Sequence, residues 1–176
     1  MKAVIVYQSL WGSSAAIARA IAEGLGSGAV ALTTNEATAE AIAGADLIVA
    51  GCPIHALNLP SDESVKGAVA KSAGQNAVVA DGSHRLMRDW LAELPKGSGR
   101  CAAFDTRVRG PLGRGGASKI ETRLERAGYS RLVKREGFYA ALKPVEVTAE
   151  GMLLPGEVDR AREWGREMAK ALAQAR

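Results

Sequence analysis

The sequence predicts a doubly wound α/β domain: a five-stranded parallel sheet in the order 2-1-3-4-5, with helices on both faces. Three observations predict it. Short apolar runs alternate with segments of helical periodicity along the chain. The runs are apolar throughout rather than at every second residue, as strands buried on both faces are. The chain has 176 residues and no repeat or low-complexity linker, which suits one domain over residues 1–176.

Lys2–Tyr7 is a β-branched run stopped by Ser9 and Gly12, and reads as the first strand. Ser13–Leu25 puts Ile17, Ala20, Ile21, Gly24 and Leu25 on one helical face, and Gly24, Gly26 and Gly28 end it. Ala29–Thr33 is a second strand, Thr38–Ala43 a short helix, and Asp46–Ala50 a third strand ending at Gly51. Cys52 to Pro60 is loop. In residues 61–80, Glu63–Lys71 suits a helix and Ala77–Ala80 a short extended piece. Ser83–Leu94 carries Leu86, Met87, Trp90, Leu91 and Leu94 on one side and reads as a helix, broken by Lys96-Gly97-Ser98-Gly99. Arg100–Phe104 is the fourth strand. A glycine-rich loop (Gly110, Gly113, Gly115, Gly116) leads to a helix over Ser118–Ala127, where Ser118 and Glu121 have capping-box spacing. The fifth strand falls within Leu132–Leu142. Glu157–Leu172 is the last helix, with Val158, Ala161, Trp164, Gly165, Met168 and Leu172 at helical spacing.

Composition excludes several classes. With 47% hydrophobic and 24% charged residues the chain is neither disordered nor a membrane span, for which no apolar run is long enough. The N-terminus lacks a signal-peptide core, so the expected compartment is the cytoplasm, where Cys52 and Cys101 stay reduced. Two cysteines and two histidines without ligand spacing argue against a metal site. The net charge of +4 is modest, glutamates interleave the Arg123–Arg135 cluster, and aromatics are few (Trp 3, Tyr 3, Phe 2); nucleic acid is not an expected partner.

In such a sheet a ligand binds beyond the carboxyl ends of the strands at the switch point, here the loops after residues 7, 51 and 104. The first loop, Tyr7-Gln8-Ser9-Leu10-Trp11-Gly12-Ser13-Ser14, offers hydroxyls, a glycine and the free N–H groups of a helix start, which suit an anion or simply a helix cap. Ser9-x-Trp11-Gly12-Ser13-Ser14 resembles the phosphate loop of flavodoxins, Ser/Thr-x-Thr-Gly-Asn-Thr. Gly51-Cys52-Pro53 resembles the family's loop beside the flavin ring, and Ala103-Phe104-Asp105-Thr106-Arg107 stands where the second ring-flanking loop begins.

The resemblance covers nearly the whole chain and implies a flavodoxin-like electron-transfer protein that binds FMN. The phosphate would meet Ser9, Leu10, Trp11, Gly12, Ser13 and Ser14. The ring would lie between Pro53, Ile54, His55 and Ala56 on one side and Asp105, Thr106 and Arg107 on the other. Electrons would pass to a redox partner protein or a small acceptor. The chain departs from the family pattern in Trp11 for the threonine, Ser13 for the asparagine, and the lack of tryptophan or tyrosine in both ring loops; His55, Trp11 or Trp90 is left to stack. Arg107 and Arg109 would favour a reduced, anionic flavin. Two alternatives stand beside the carrier: an FMN-dependent NAD(P)H:quinone-type reductase, and a flavodoxin-like protein that binds no flavin.

Other features read as structural. Cys52 and Cys101 suit packed thiols. Gly24-x-Gly26-x-x-Ala29 matches a dinucleotide pattern but follows a helix and precedes a strand, the reverse of the required context. A receiver domain shares the topology but needs acidic residues where Tyr7-Gln8-Ser9 and Gly51-Cys52-Pro53 stand.

Overall fold

The computed structural model describes residues 1–55, 57–72, 79–110, 115–141 and 151–175. Strand β1 (Ala3–Tyr7) lies inside the sheet, and its five residues are all buried. It pairs in parallel with β2 (Ala29–Thr33) on one side and β3 (Leu47–Pro53) on the other. β4 (Arg100–Arg107) follows β3. The far edge of β4 carries two parallel pieces, β5 (Ser130–Arg131) and β6 (Glu136–Tyr139). The order is therefore 2-1-3-4-5, as the alternation predicts, with the fifth strand interrupted. Arg135, in the gap, turns to Glu121 at 2.6 Å instead of continuing the ladder. Leu142 and Ala77 lie outside the described residues.

Helices α1 (Ser13–Leu25) and α6 (Glu157–Gln174) cover one face, over Ile5, Leu47, Phe104 and Phe138. They cross at glycines: a Cβ on Gly165 would fall 2.5 Å from the Ile21 carbonyl oxygen and 3.0 Å from Gly24 Cα. The other face, with Val4, Val6, Ile48 and Cys101, takes α2 (Ala39–Ile42), α4 (Met87–Ala92) and α5 (Gly116–Arg126). Helix α3 (Asp62–Ser72) adds Val65 to a small cluster with Leu10, Ala80 and Leu86. Among the described residues no helix is long and apolar enough to cross a membrane.

Three boundaries move for physical reasons. β3 and β4 run past Ala50 and Phe104 because they stay paired to Pro53 and Thr106. The helix expected from Ser83 starts at Met87, since Asn35 holds the preceding backbone as loop, its amide donating to Ser83 O and its Oδ1 accepting from Arg85 N. The capping box at Ser118 does not form. α5 begins two residues earlier after Gly115; Glu121 is buried against Arg135, and the Asp105 carboxylate accepts from Ala117 N instead.

Candidate functional site

The loops after β1, β3 and β4 enclose a cavity of about 220 Å³. Its floor is the turn from β1 into α1, which distant residues fasten. Gln8 N–H donates to Gly51 O, and the buried Gln8 Oε1 accepts from Met87 N. Ser9 N–H donates to His84 Nδ1 at 3.0 Å, and Leu10 O accepts from Asp81 N at 2.7 Å. The Leu10 side chain is sunk in its cluster with Val65 and Leu86. Gly12 turns the chain into α1 with φ +88°, a left-handed value that a side chain would strain.

This turn has the makings of an anion site. The first helical bond runs from Ala16 N to Gly12 O, so the N–H groups of Ser13, Ser14 and Ala15 precede it, with no acceptor among the described residues. Ser9 is 4% exposed, and its Oγ is buried without a hydrogen-bond partner. A buried orphan hydroxyl costs roughly 1–3 kcal/mol unless something meets it. Ser13 Oγ accepts from Met152 N at 2.9 Å and keeps its own proton to donate. Ser14 Oγ is bound to Thr106 Oγ1 at 2.8 Å, tying this turn to β4.

The walls come from the other two loops. Ile54 N donates to Thr106 O, and His55 and Asn58 exchange backbone bonds at 2.9 Å to close a tight turn. The His55 ring stands 6.2 Å from Trp11 at 40°, so Trp11 does lean toward it. The His55 Nδ1 meets Ser64 Oγ at 3.0 Å, and burial lowers the ring's pKa by disfavouring its charged form. Trp90 does not reach the cavity: it is 3% exposed and donates to Ala37 O.

The expected residues Ser9, Leu10, Trp11, Ser13, Ser14, Pro53, Ile54, His55, Thr106 and Arg107 all line the cavity. Gly12 shapes the turn without lining it, and Ala56 lies outside the described residues. Asp105 faces the other side of the sheet, toward α5. Burial raises its pKa to about 6, opposed by the Ala117 N–H and by Arg107. Arg107 is not a free cation, because its Nε sits 3.1 Å from Asp105 Oδ1. The Arg107 side chain lies where a Cβ on Gly137 would be, and Arg109 stands 5.3 Å from the Tyr139 ring.

The sequence reading missed part of the wall. Ala140, Ala141 and Met152 close the cavity from an antiparallel pair in which Ala141 N donates to Met152 O and Leu154 N to Tyr139 O. Gly151 rests on the α1 start: a Cβ there would fall 2.5 Å from both Ser13 N and Trp11 O, so only glycine fits. His84 falls within the helix expected from Ser83, yet it precedes the observed helix and holds Ser9. Nothing local in the sequence marks these contacts.

The cysteines are buried, free thiols, as expected. Burial raises both pKa values, that of Cys101 to about 12.

No protein-family model matches the chain, and no curated protein matches it in sequence. Solved structures do. A flavodoxin from the domain Archaea superposes with a TM-score of 0.65 at 15% identity, covering 98% of this chain and 99% of its own. Oxidised flavodoxin 1 from Bacillus cereus gives 0.65 at 14% identity, covering 97% and 98%. A WrbA-like flavodoxin from Agrobacterium tumefaciens gives 0.56 at 20% identity, covering 99% of each. At such identities the likeness is one of architecture, and the architecture of this chain is the flavodoxin fold.

Proposed function

We propose that the chain, acting as one domain, binds FMN in this cavity and exchanges electrons with a redox partner protein or a small electron acceptor. The observation that carries the reading is the orphaned Ser9 hydroxyl beside the uncapped N–H groups of the α1 start, at the switch point of a flavodoxin fold. A phosphate there would be held by neutral donors: Ser9 Oγ, Ser13 Oγ and the N–H groups from Ser13 to Ala15. The Pro53–His55 and Thr106–Val108 walls would flank the ring, with the Trp11–His55 pair at its edge. When bound, the flavin supplies the redox chemistry. The chain's residues anchor it, keep water from its apolar face, and set the charge around it. Because Asp105 offsets Arg107, that charge is less positive than the two arginines alone imply.

A second reading, a flavodoxin-like protein without flavin, is favoured by the Gly151–Met152 segment seated on the α1 start. One experiment decides between them. FMN is titrated into the purified chain and followed by flavin fluorescence, after an absorbance spectrum, with riboflavin as the phosphate-free comparison. The expected result is saturable quenching by FMN and far weaker binding of riboflavin. Ser9→Ala should weaken FMN by about tenfold or more, as for a lost hydrogen bond to a charged group. Unchanged FMN fluorescence would establish the flavin-free reading.

A further inference from the structure

On the outer side of the His55–Asn58 turn lies a second cavity, of about 320 Å³ and opposite chemistry. Arg88 of α4 lines it with Lys119, Arg123 and Arg126 of α5. The α5 residues share one helix face because they recur at four and three residues. No carboxylate lines the cavity, and none of the four cations forms an ion pair among the described residues. Elsewhere the pattern differs: Arg85, Arg135 and Arg162 lie 2.6, 2.6 and 2.9 Å from carboxylates.

The cations are held in place by neutral acceptors. Arg88 Nε donates to Pro60 O at 2.8 Å and its Nη2 to Leu59 O at 2.6 Å. Arg123 Nη1 donates to Arg88 O at 3.0 Å. Lys119 Nζ donates to Leu57 O at 3.1 Å and to Asn58 Oδ1 at 2.9 Å. Arg88 Nη1, Arg123 Nε and Nη2, and the whole Arg126 guanidinium find no acceptor among the described residues. These bonds pre-orient the groups without lowering their charge. Like charges around one hollow repel, and an anion placed among them would relieve all four.

We propose that this groove binds the diphosphate or polyphosphate group of a small molecule. Guanidinium forks match phosphate oxygens in pairs, and three arginines from two helices meet here with a lysine. A single phosphate would leave charge uncompensated. An acidic protein surface would suit cations spread over a flat face, whereas these converge on a hollow with Arg88 half-buried. No aromatic side chain lines the groove for base stacking, which disfavours single-stranded nucleic acid. The inference does not rest on the flavin reading.

The test is titration of inorganic pyrophosphate into the full chain at fixed ionic strength, by calorimetry and by amide NMR shifts. Saturable binding is expected, with shifts centred on Arg88, Lys119, Arg123 and Arg126. The double variant Arg123→Gln/Arg126→Gln should weaken binding by tenfold or more while its circular dichroism stays native. Arg166→Gln, in α6, should leave binding unchanged. Absence of saturation at millimolar pyrophosphate would overturn the proposal. So would shifts confined to Ser9–Ser14, an unaffected double variant, or a polyglutamate peptide that binds the same residues more tightly than pyrophosphate.

Discussion

The two faces of the sheet are closed by different chemistry. Under α1 and α6 the seal is apolar and tight: Phe104, Phe138 and Trp164 stack edge to face at 6.1 Å steps, and two helices touch through Gly24 and Gly165. Under α4 and α5 the core admits charge. Asp105 is 1% exposed and Glu121 5%, each answered by an arginine from the β4–β6 edge. The first face leaves no room for a Cβ at its helix crossing, whereas the second buries a carboxylate, Asp105, whose pKa burial raises. The candidate flavin cavity lies at the seam, where Thr106 faces α1 and Asp105 faces α5.

The largest expected effect breaks the tight face. Gly165→Leu must push its Cβ away from the Ile21 carbonyl, and overpacking of this kind costs about 3 kcal/mol. Thermal unfolding should fall by roughly 6–12 °C for a chain of this size. Gly67→Ala in α3, where a Cβ meets nothing within 4 Å, should instead hold or raise the midpoint.

Next comes the proton-sensitive face. Asp105 has a folded pKa of about 6 against an ordinary value of 3.8, so between those values the folded state holds more protons than the unfolded one. Its contribution to stability therefore falls as pH rises from about 4 to about 6, by roughly 2–3 kcal/mol at 1.36 per unit. Asp105→Asn keeps an oxygen for Ala117 N and removes that slope. Urea unfolding of both chains at pH 4 and pH 6.5 measures the difference, and parallel pH profiles would contradict the assignment.

Thr106→Val tests the seam. It leaves the Ser14 hydroxyl, in a residue 1% exposed, without its partner and should cost about 1–2 kcal/mol in urea, with no change in pH dependence. The smallest effect is at Ser118. A capping box there would make Ser118→Ala cost about 1 kcal/mol. Since Asp105 serves the α5 start, the loss should stay below about 0.5 kcal/mol.

The sheet order was legible because each buried strand is an uninterrupted apolar run and each covering helix has its own period. The Ser9–Ser14 turn was legible because glycine and hydroxyls sit at the junction of the two. Asp105, Thr106 and Arg107 looked like loop because strand residues that polar are unusual; what buries Asp105 and Thr106 is a ladder to Cys52 and Pro53 and bonds to α5 and α1, while Arg107 pairs with Tyr139. The break between β5 and β6 coincides with Arg135 meeting Glu121 of α5, a contact that no local pattern encodes. Tyr139 escaped notice as the ring beside Arg107 and Arg109, since it comes from the edge strand rather than from a ligand loop. Met152 and Gly151 were invisible for a similar reason, being remote in sequence from the turn they cover.

That remoteness has a consequence for the chain as it is made. Ser13 is synthesised well before its partner: the backbone N–H that meets its hydroxyl arrives 139 positions later. At about 5–20 residues per second, a ribosome needs on the order of ten seconds to cover that distance. During this interval the β1–α1 turn can form without its clasp, exposed to whatever phosphates the surroundings hold. Any ligand that takes the turn early would be enclosed when Gly151 and Met152 settle on it, and the order of synthesis would favour loading before closure.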